Sequence, residues 1–176
     1  MRAQFRRDFR DNFVLNTYAG QNFMTIFNAW YYSFSPDVAS VIAANETLRG
    51  FMRILLYPLI GILYIASSLK TLFSFNYELA IITSGLVASS LIGFVYLGPI
   101  ALIVHRFKKV KAPPGILRVG LILWVVSVGG IMLAEIARWP GGMMFFTAVF
   151  VLTSMGLGTL SSLRYVEKYA RVLWSN

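Results

Sequence analysis

The strongest constraint on this chain is a set of four long runs almost free of charge. From Phe51 to Leu69 a single early charge, Arg53, is followed by sixteen uncharged residues; Leu79 to Val104 is 26 residues with none. Ile116 to Ala137 carries only Arg118 at its start and Glu135 near its end, and Met143 to Leu163 carries no charge. About 20 apolar residues at 1.5 Å rise cross the hydrocarbon core as a helix, the form that satisfies every backbone N–H and C=O within the segment. The expected fold class is therefore all-α and integral to the membrane, with four transmembrane helices preceded by amphipathic interfacial helices. Residues 1–50 read as an aromatic-rich helical region at the membrane interface, 51–163 as a four-helix transmembrane bundle, and 164–176 as a short basic and aromatic tail. Pro58 predicts a kink in the first span. The 26-residue second run either tilts or projects beyond the bilayer. His105 to Gly115 holds two prolines that stop helix continuation.

Composition agrees: 57% hydrophobic and 13% charged residues depart from the roughly 45–50% and about 25% of soluble domains. The absence of Cys removes disulfides, thiolate metal sites and a Cys nucleophile. The net charge of +9 has to be read by position. Placing the amino end inside puts Arg2 to Arg53, the His105 to Lys111 loop and the tail from Arg164 on the inner side. Only Lys70, Glu78 and Arg138 remain for the outer side. The positive-inside rule then predicts a multi-pass protein of the cytoplasmic membrane with both termini cytoplasmic. Arg2, Arg6, Arg7 and Arg10, interleaved with Phe5, Phe9 and Phe13, read as a basic amphipathic helix in the headgroup layer. Arg106, Lys108, Lys109 and Lys111 lie beside a span in the same way. Anionic lipid, rather than nucleic acid, is the expected partner of this charge.

Between the basic start and the first span lies a stretch of helical period without charge. Phe23, Ile26, Phe27, Trp30, Tyr31 and Phe34 recur at i, i+3, i+4, i+7, i+8 and i+11, an apolar stripe. The other face is Gln21, Asn22, Thr25, Asn28, Ala29 and Ser33. A water-exposed helix would carry Lys or Glu there, so both faces are expected to touch something other than bulk solvent. The stripe is the candidate contact with a partner or the inner membrane surface. Ser35, Pro36 and Asp37 then predict a helix start, with a hydroxyl cap, Pro at the first position and an acid in the first turn.

Helices in lipid associate through small residues. Gly85, Ser89 and Gly93 in the second span, and Ser154, Gly158 and Ser162 in the fourth, each repeat at spacing four. Such strips serve either packing within the bundle or docking against another subunit, and the pattern alone leaves both open.

Residues that could carry chemistry are few. His105 sits among cations that disfavour a bound metal, and no second ligand accompanies it. Glu135 is the one acid inside a span; an ion pair with Arg138 three residues on would make it an interface anchor rather than a proton relay. The seven methionines are scattered, so packing is their expected role. No phosphate loop, nucleophile elbow or paired carboxylate occurs, and no catalytic constellation is expected.

The ordered series Phe9-Arg10-Asp11, Ala19-Gly20, Phe23, Trp30-Tyr31-Tyr32, Ser35-Pro36, Val38-Ala39, Leu48-Arg49, Leu56 and Pro58 resembles the CFI-box family over the first third of the chain. In that family such a segment precedes apolar helices. The family's name comes from a Cys-Phe-Ile segment upstream, and this chain has no cysteine, so the role of that segment does not carry over. The form FNAWYYSFSP is also similar to versions in ammonia-oxidising archaea, whose membrane monooxygenase is a copper enzyme with small accessory subunits. That resemblance implies a helper subunit surrounded by other integral membrane subunits, with copper and catalysis in those neighbours and none bound by this chain alone. The functional expectation is an accessory or scaffolding subunit. The alternatives are a small stand-alone transporter or channel, and a lipid-binding module.

Overall fold

The computed structural model describes residues 14–72, 76–108 and 115–174, and every element among them is helical. A 3₁₀ turn, Val14–Asn16, leads into α1 (Tyr18–Tyr32) and α2 (Ser35–Ala44), followed by α3 (Glu46–Leu72) and α4 (Tyr77–Ile92). A π-helical turn at Gly93–Leu97 joins α4 to α5 (Gly98–Lys108), and α6 (Ile116–Ile136) and α7 (Pro140–Trp174) complete the described chain. Four helical rods are long and apolar enough to cross a membrane: Glu46–Leu69, Tyr77–Val104, Ile116–Ile136 and Pro140–Val166. They coincide with the four uncharged runs, and the molecule is a multi-pass membrane protein.

Helix starts follow local capping chemistry. Thr17 Oγ1 accepts from Gly20 N at 3.1 Å and donates to Val14 O at 3.1 Å, closing the first turn of α1. Asn76 Oδ1 accepts from Leu79 N at 3.1 Å ahead of α4, and Asn45 Oδ1 does the same for Leu48 N ahead of α3. The predicted hydroxyl cap at Ser35 does not form. Ser35 is already helical, Phe34 takes the capping position without a side-chain bond, and Pro36 and Asp37 fill the first turn.

Both span prolines sit inside continuous helix. Pro58 removes from α3 the donor to the Ile54 carbonyl, and the Tyr96 hydroxyl of the neighbouring rod donates to the adjacent Leu55 carbonyl. Pro99 follows the π turn, in which Gly98 N donates to Gly93 O. Widening the turn by one residue relieves the clash that a proline ring makes with the carbonyl four residues earlier. The residues expected as a separate tail continue α7 without a break to Trp174.

Packing is the reverse of a soluble bundle. Many buried positions are small or hydroxylated, among them Ala66, Ala80, Ser84, Ser127 and Ser154, beside a few large ones, Ile62, Ile131, Met143 and Phe150, whereas Leu133, Ile136 and Leu152 are about two-thirds or more exposed. That is the pattern expected where lipid, not water, surrounds the large side chains. Ser84 Oγ donates to Ala66 O at 2.8 Å, which with the Tyr96 to Leu55 bond sets α3 antiparallel to the α4–α5 rod. Trp124 Nε1 donates to Ser154 Oγ at 3.1 Å and joins α6 to α7.

α1 is part of this body. Ala19 shares a buried cluster with Ile131, Ala134, Met143 and Phe150. The amino-terminal turn of α1 is the inward part, with Ala19, Gly20 and Asn22 buried; of the rest of the polar face Asn28 is half-buried and Gln21, Thr25, Ala29 and Ser33 are exposed. The start of α1 therefore lies at the end of the bundle where α4 begins and α6 ends; α3 starts, and α7 finishes, at the opposite end.

Candidate interaction surfaces

The seam between the α4–α5 rod and α7 is built by the two small-residue strips. A Cβ placed on Gly93 would lie 2.0 Å from Met155 O, and one on Gly158 would lie 2.1 Å from Ser90 O, so each glycine touches the backbone of the other helix. Thr159 Oγ1 donates across the seam to Gly93 O at 3.2 Å, a carbonyl presented by the π turn. Ser162 fills the space over Gly98. Ser89 is buried and returns its hydroxyl to Gly85 O at 2.6 Å. Ser154 receives the Trp124 bond. Gly85 stands apart from the other members of its strip, because a Cβ there would meet open space. Gly93, Gly158 and Ser162 thus serve the contact between these two helices inside one chain, Ser154 serves the contact with α6, and Gly85 borders open space.

A second constellation holds the start of α1. Glu78, in the first turn of α4, accepts from Tyr18 N at 2.6 Å and from Ala19 N at 3.4 Å. These are two of the amide groups that a helix leaves without internal partners at its amino end, and a carboxylate there also suits the helix dipole. Arg138 lies past the end of α6 with φ of 48°. Its N–H donates to Glu135 O at 3.2 Å while Trp139 N donates to Ala134 O at 2.9 Å, the Schellman closure that ordinarily places Gly at this position. The arginine side chain accounts for the exception, since its guanidinium stands 5.5 Å over the Tyr18 ring. The expected helical ion pair of Glu135 with Arg138 is accordingly replaced: α6 stops at Ile136, so Arg138 is not on the same helical face. Glu135 lines a shallow concavity with Met132, Ile136 and Arg138.

The third feature is the aromatic stripe. Phe23 and Phe27 stack at 5.8 Å, Phe27 and Tyr31 at 6.0 Å, and Trp30 meets Phe34 edge-on at 4.8 Å. The rings form a ladder on the outward face of α1. Phe23 is half-buried, and Ile26, Phe27, Trp30, Tyr31 and Phe34 are exposed, Trp30 to 59%.

Of the basic residues assigned to lipid headgroups, Arg2, Arg6, Arg7, Arg10, Lys109 and Lys111 lie outside the described residues, as do the side chains of Arg106 and Lys108. Among the described residues no group of three or more His, Cys, Asp or Glu could hold a metal ion. Sequence reasoning missed the Glu78 and Arg138 clamp, because both residues read as loop charges until α1 is placed against them. Comparisons with protein-family models, curated proteins and solved structures find no match to this chain.

Proposed function

We propose that this chain is a non-catalytic accessory or scaffolding subunit of a larger complex in the cytoplasmic membrane. The observation that carries the reading is the aromatic ladder of α1, which no other part of the described chain covers. The amino-terminal turn of α1 is anchored to the bundle by Glu78 and Arg138. A ladder of stacked rings on an anchored helix is a large, stiff contact area of the kind that dominates interfaces. The CFI-box resemblance and the likeness of FNAWYYSFSP to archaeal forms support a place beside a copper-dependent ammonia monooxygenase, with copper and catalysis in partner subunits. Arg49 and Arg53 at the start of α3, Arg118 at the start of α6 and Arg164 late in α7 share one end of the bundle. The positive-inside rule makes that end cytoplasmic.

Purification of the tagged chain from native membranes in mild detergent tests the proposal. Integral membrane partners are expected to co-purify, and photo-crosslinkers at Trp30 and Tyr31 are expected to capture one of them. A monodisperse monomer with no crosslinked partner overturns it.

A further inference from the structure

We infer that α1 is a fifth membrane crossing, which places the residues preceding it on the opposite face of the membrane from the basic His105–Gly115 connection. The two ends of the path are set by bonds. Tyr18 N donates to Glu78 at the start of α4. Leu55 O, nine residues after the start of α3, receives the Tyr96 hydroxyl eighteen residues further along the α4–α5 rod. Eighteen residues of helix span about 27 Å at 1.5 Å each. The stretch from Glu46 to Leu55 carries α3 further in the same direction, because α3 is one helix from Glu46 to Leu72. The chain must therefore travel the length of the bundle between Tyr18 and Glu46. α1, with 15 residues, supplies about 22 Å of that distance, and Ser33, Phe34 and α2 supply the rest.

The residues on this path suit hydrocarbon. Asn12 to Pro36 is 25 residues without a charge, bounded by Asp11 and Asp37, and about 20 suffice to cross. Polar side chains along α1 return to their own backbone: Asn22 Nδ2 donates to Tyr18 O at 2.8 Å, Thr25 Oγ1 to Gln21 O at 2.9 Å and Ser33 Oγ to Trp30 O at 2.6 Å. These three bonds need no water, and Asn28 is the one amide of the helix interior without such a bond among those described. Trp30, Tyr31 and Tyr32 fall near the far end of the crossing, at the depth where an aromatic belt forms. This topology replaces the expectation of an interfacial helix with both termini on one side, and it moves Arg2, Arg6, Arg7 and Arg10, partly offset by Asp8 and Asp11, to the face opposite the His105–Lys111 charges.

The chain contains no cysteine, so single cysteines report sidedness directly. Gln4→Cys, Asn16→Cys and Lys109→Cys variants of the full chain would be treated in sealed cells with a membrane-impermeant maleimide, before and after permeabilisation. Gln4→Cys and Asn16→Cys are expected to react in sealed cells, and Lys109→Cys only after permeabilisation. Labelling of the amino-end cysteines and Lys109→Cys under the same condition overturns the inference. A reporter fused ahead of Met1, active only on one side of the membrane, gives a second measurement without any substitution; activity on the side of the Lys109 loop overturns it equally. Neither readout depends on a partner subunit, so the outcome stands apart from the functional proposal.

Discussion

The α4–α7 seam and the aromatic face of α1 carry sequence patterns of equal regularity, yet one closes inward and the other faces out. Gly93 and Gly158 admit the backbone of the opposing helix, and the hydroxyls of Thr159 and Ser162 complete the contact. On α1 the rings from Phe23 to Phe34 stack on each other and face out, while Ala19, with Tyr18 and Met24 beside it, meets the bundle. Where the surroundings are as apolar as the side chains, size decides what goes inside, because close approach gains dispersion and hydrogen bonding while large apolar groups lose nothing by staying out. Hydrophobicity, which orients helices in water, carries little information here.

Substitutions at the seam test this contrast most severely. Gly158→Leu or Gly93→Val puts side-chain atoms into the opposing backbone, and a loss of about 3 kcal/mol or more is expected. Thermal unfolding in detergent should show the variant largely unfolded; a melting point equal to that of the parent would break the comparison. Removing the anchor of α1 comes next. Glu78→Ala takes the acceptor from Tyr18 N and Ala19 N, at about 1–3 kcal/mol, and amide exchange at the start of α1 should rise while the α4–α7 seam stays protected. Glu78→Gln keeps an acceptor without the charge and is expected to recover about half of that loss.

On the outward face the effect should appear in assembly rather than stability. Trp30→Ala is expected to shift the unfolding of the isolated chain by less than about 0.5 kcal/mol, while recovery of co-purifying partners falls several-fold. Unfolding of the isolated chain on this substitution would mean that the ladder belongs to the core. Gly85→Ala sharpens the comparison from within a single strip, since its Cβ enters open space; its melting curve should overlay that of the parent. A change of opposite sign concerns Tyr18, whose hydroxyl is buried without a hydrogen-bond partner. Tyr18→Phe keeps the ring under Arg138 and should be neutral or stabilising by up to about 1 kcal/mol, measured by the same unfolding assay.

The spans were legible because each is a run whose length and lack of charge admit one solution in lipid. The small-residue strips were legible as contact faces, but not their mates: spacing four on two helices is equally compatible with an internal seam and with docking to another chain. The position of Gly85 shows the limit, since it keeps the period and yet borders open space. The clamp on α1 left no trace in the sequence. Glu78 and Arg138 are sixty residues apart, and each is an ordinary polar residue at a helix end until Tyr18 arrives between them. The π turn was signalled only by Pro99, which announces a disturbance without saying whether the helix breaks, kinks or widens.

By itself the sequence determined that this protein is helical and embedded, because apolar runs of bilayer length leave the backbone no partner but itself. Which small residues meet, where α1 is fastened and how far its path extends were decided only by tertiary structure. Those depend on contacts between residues distant in the chain, and the large side chains, at home in lipid on any side, impose no direction of their own.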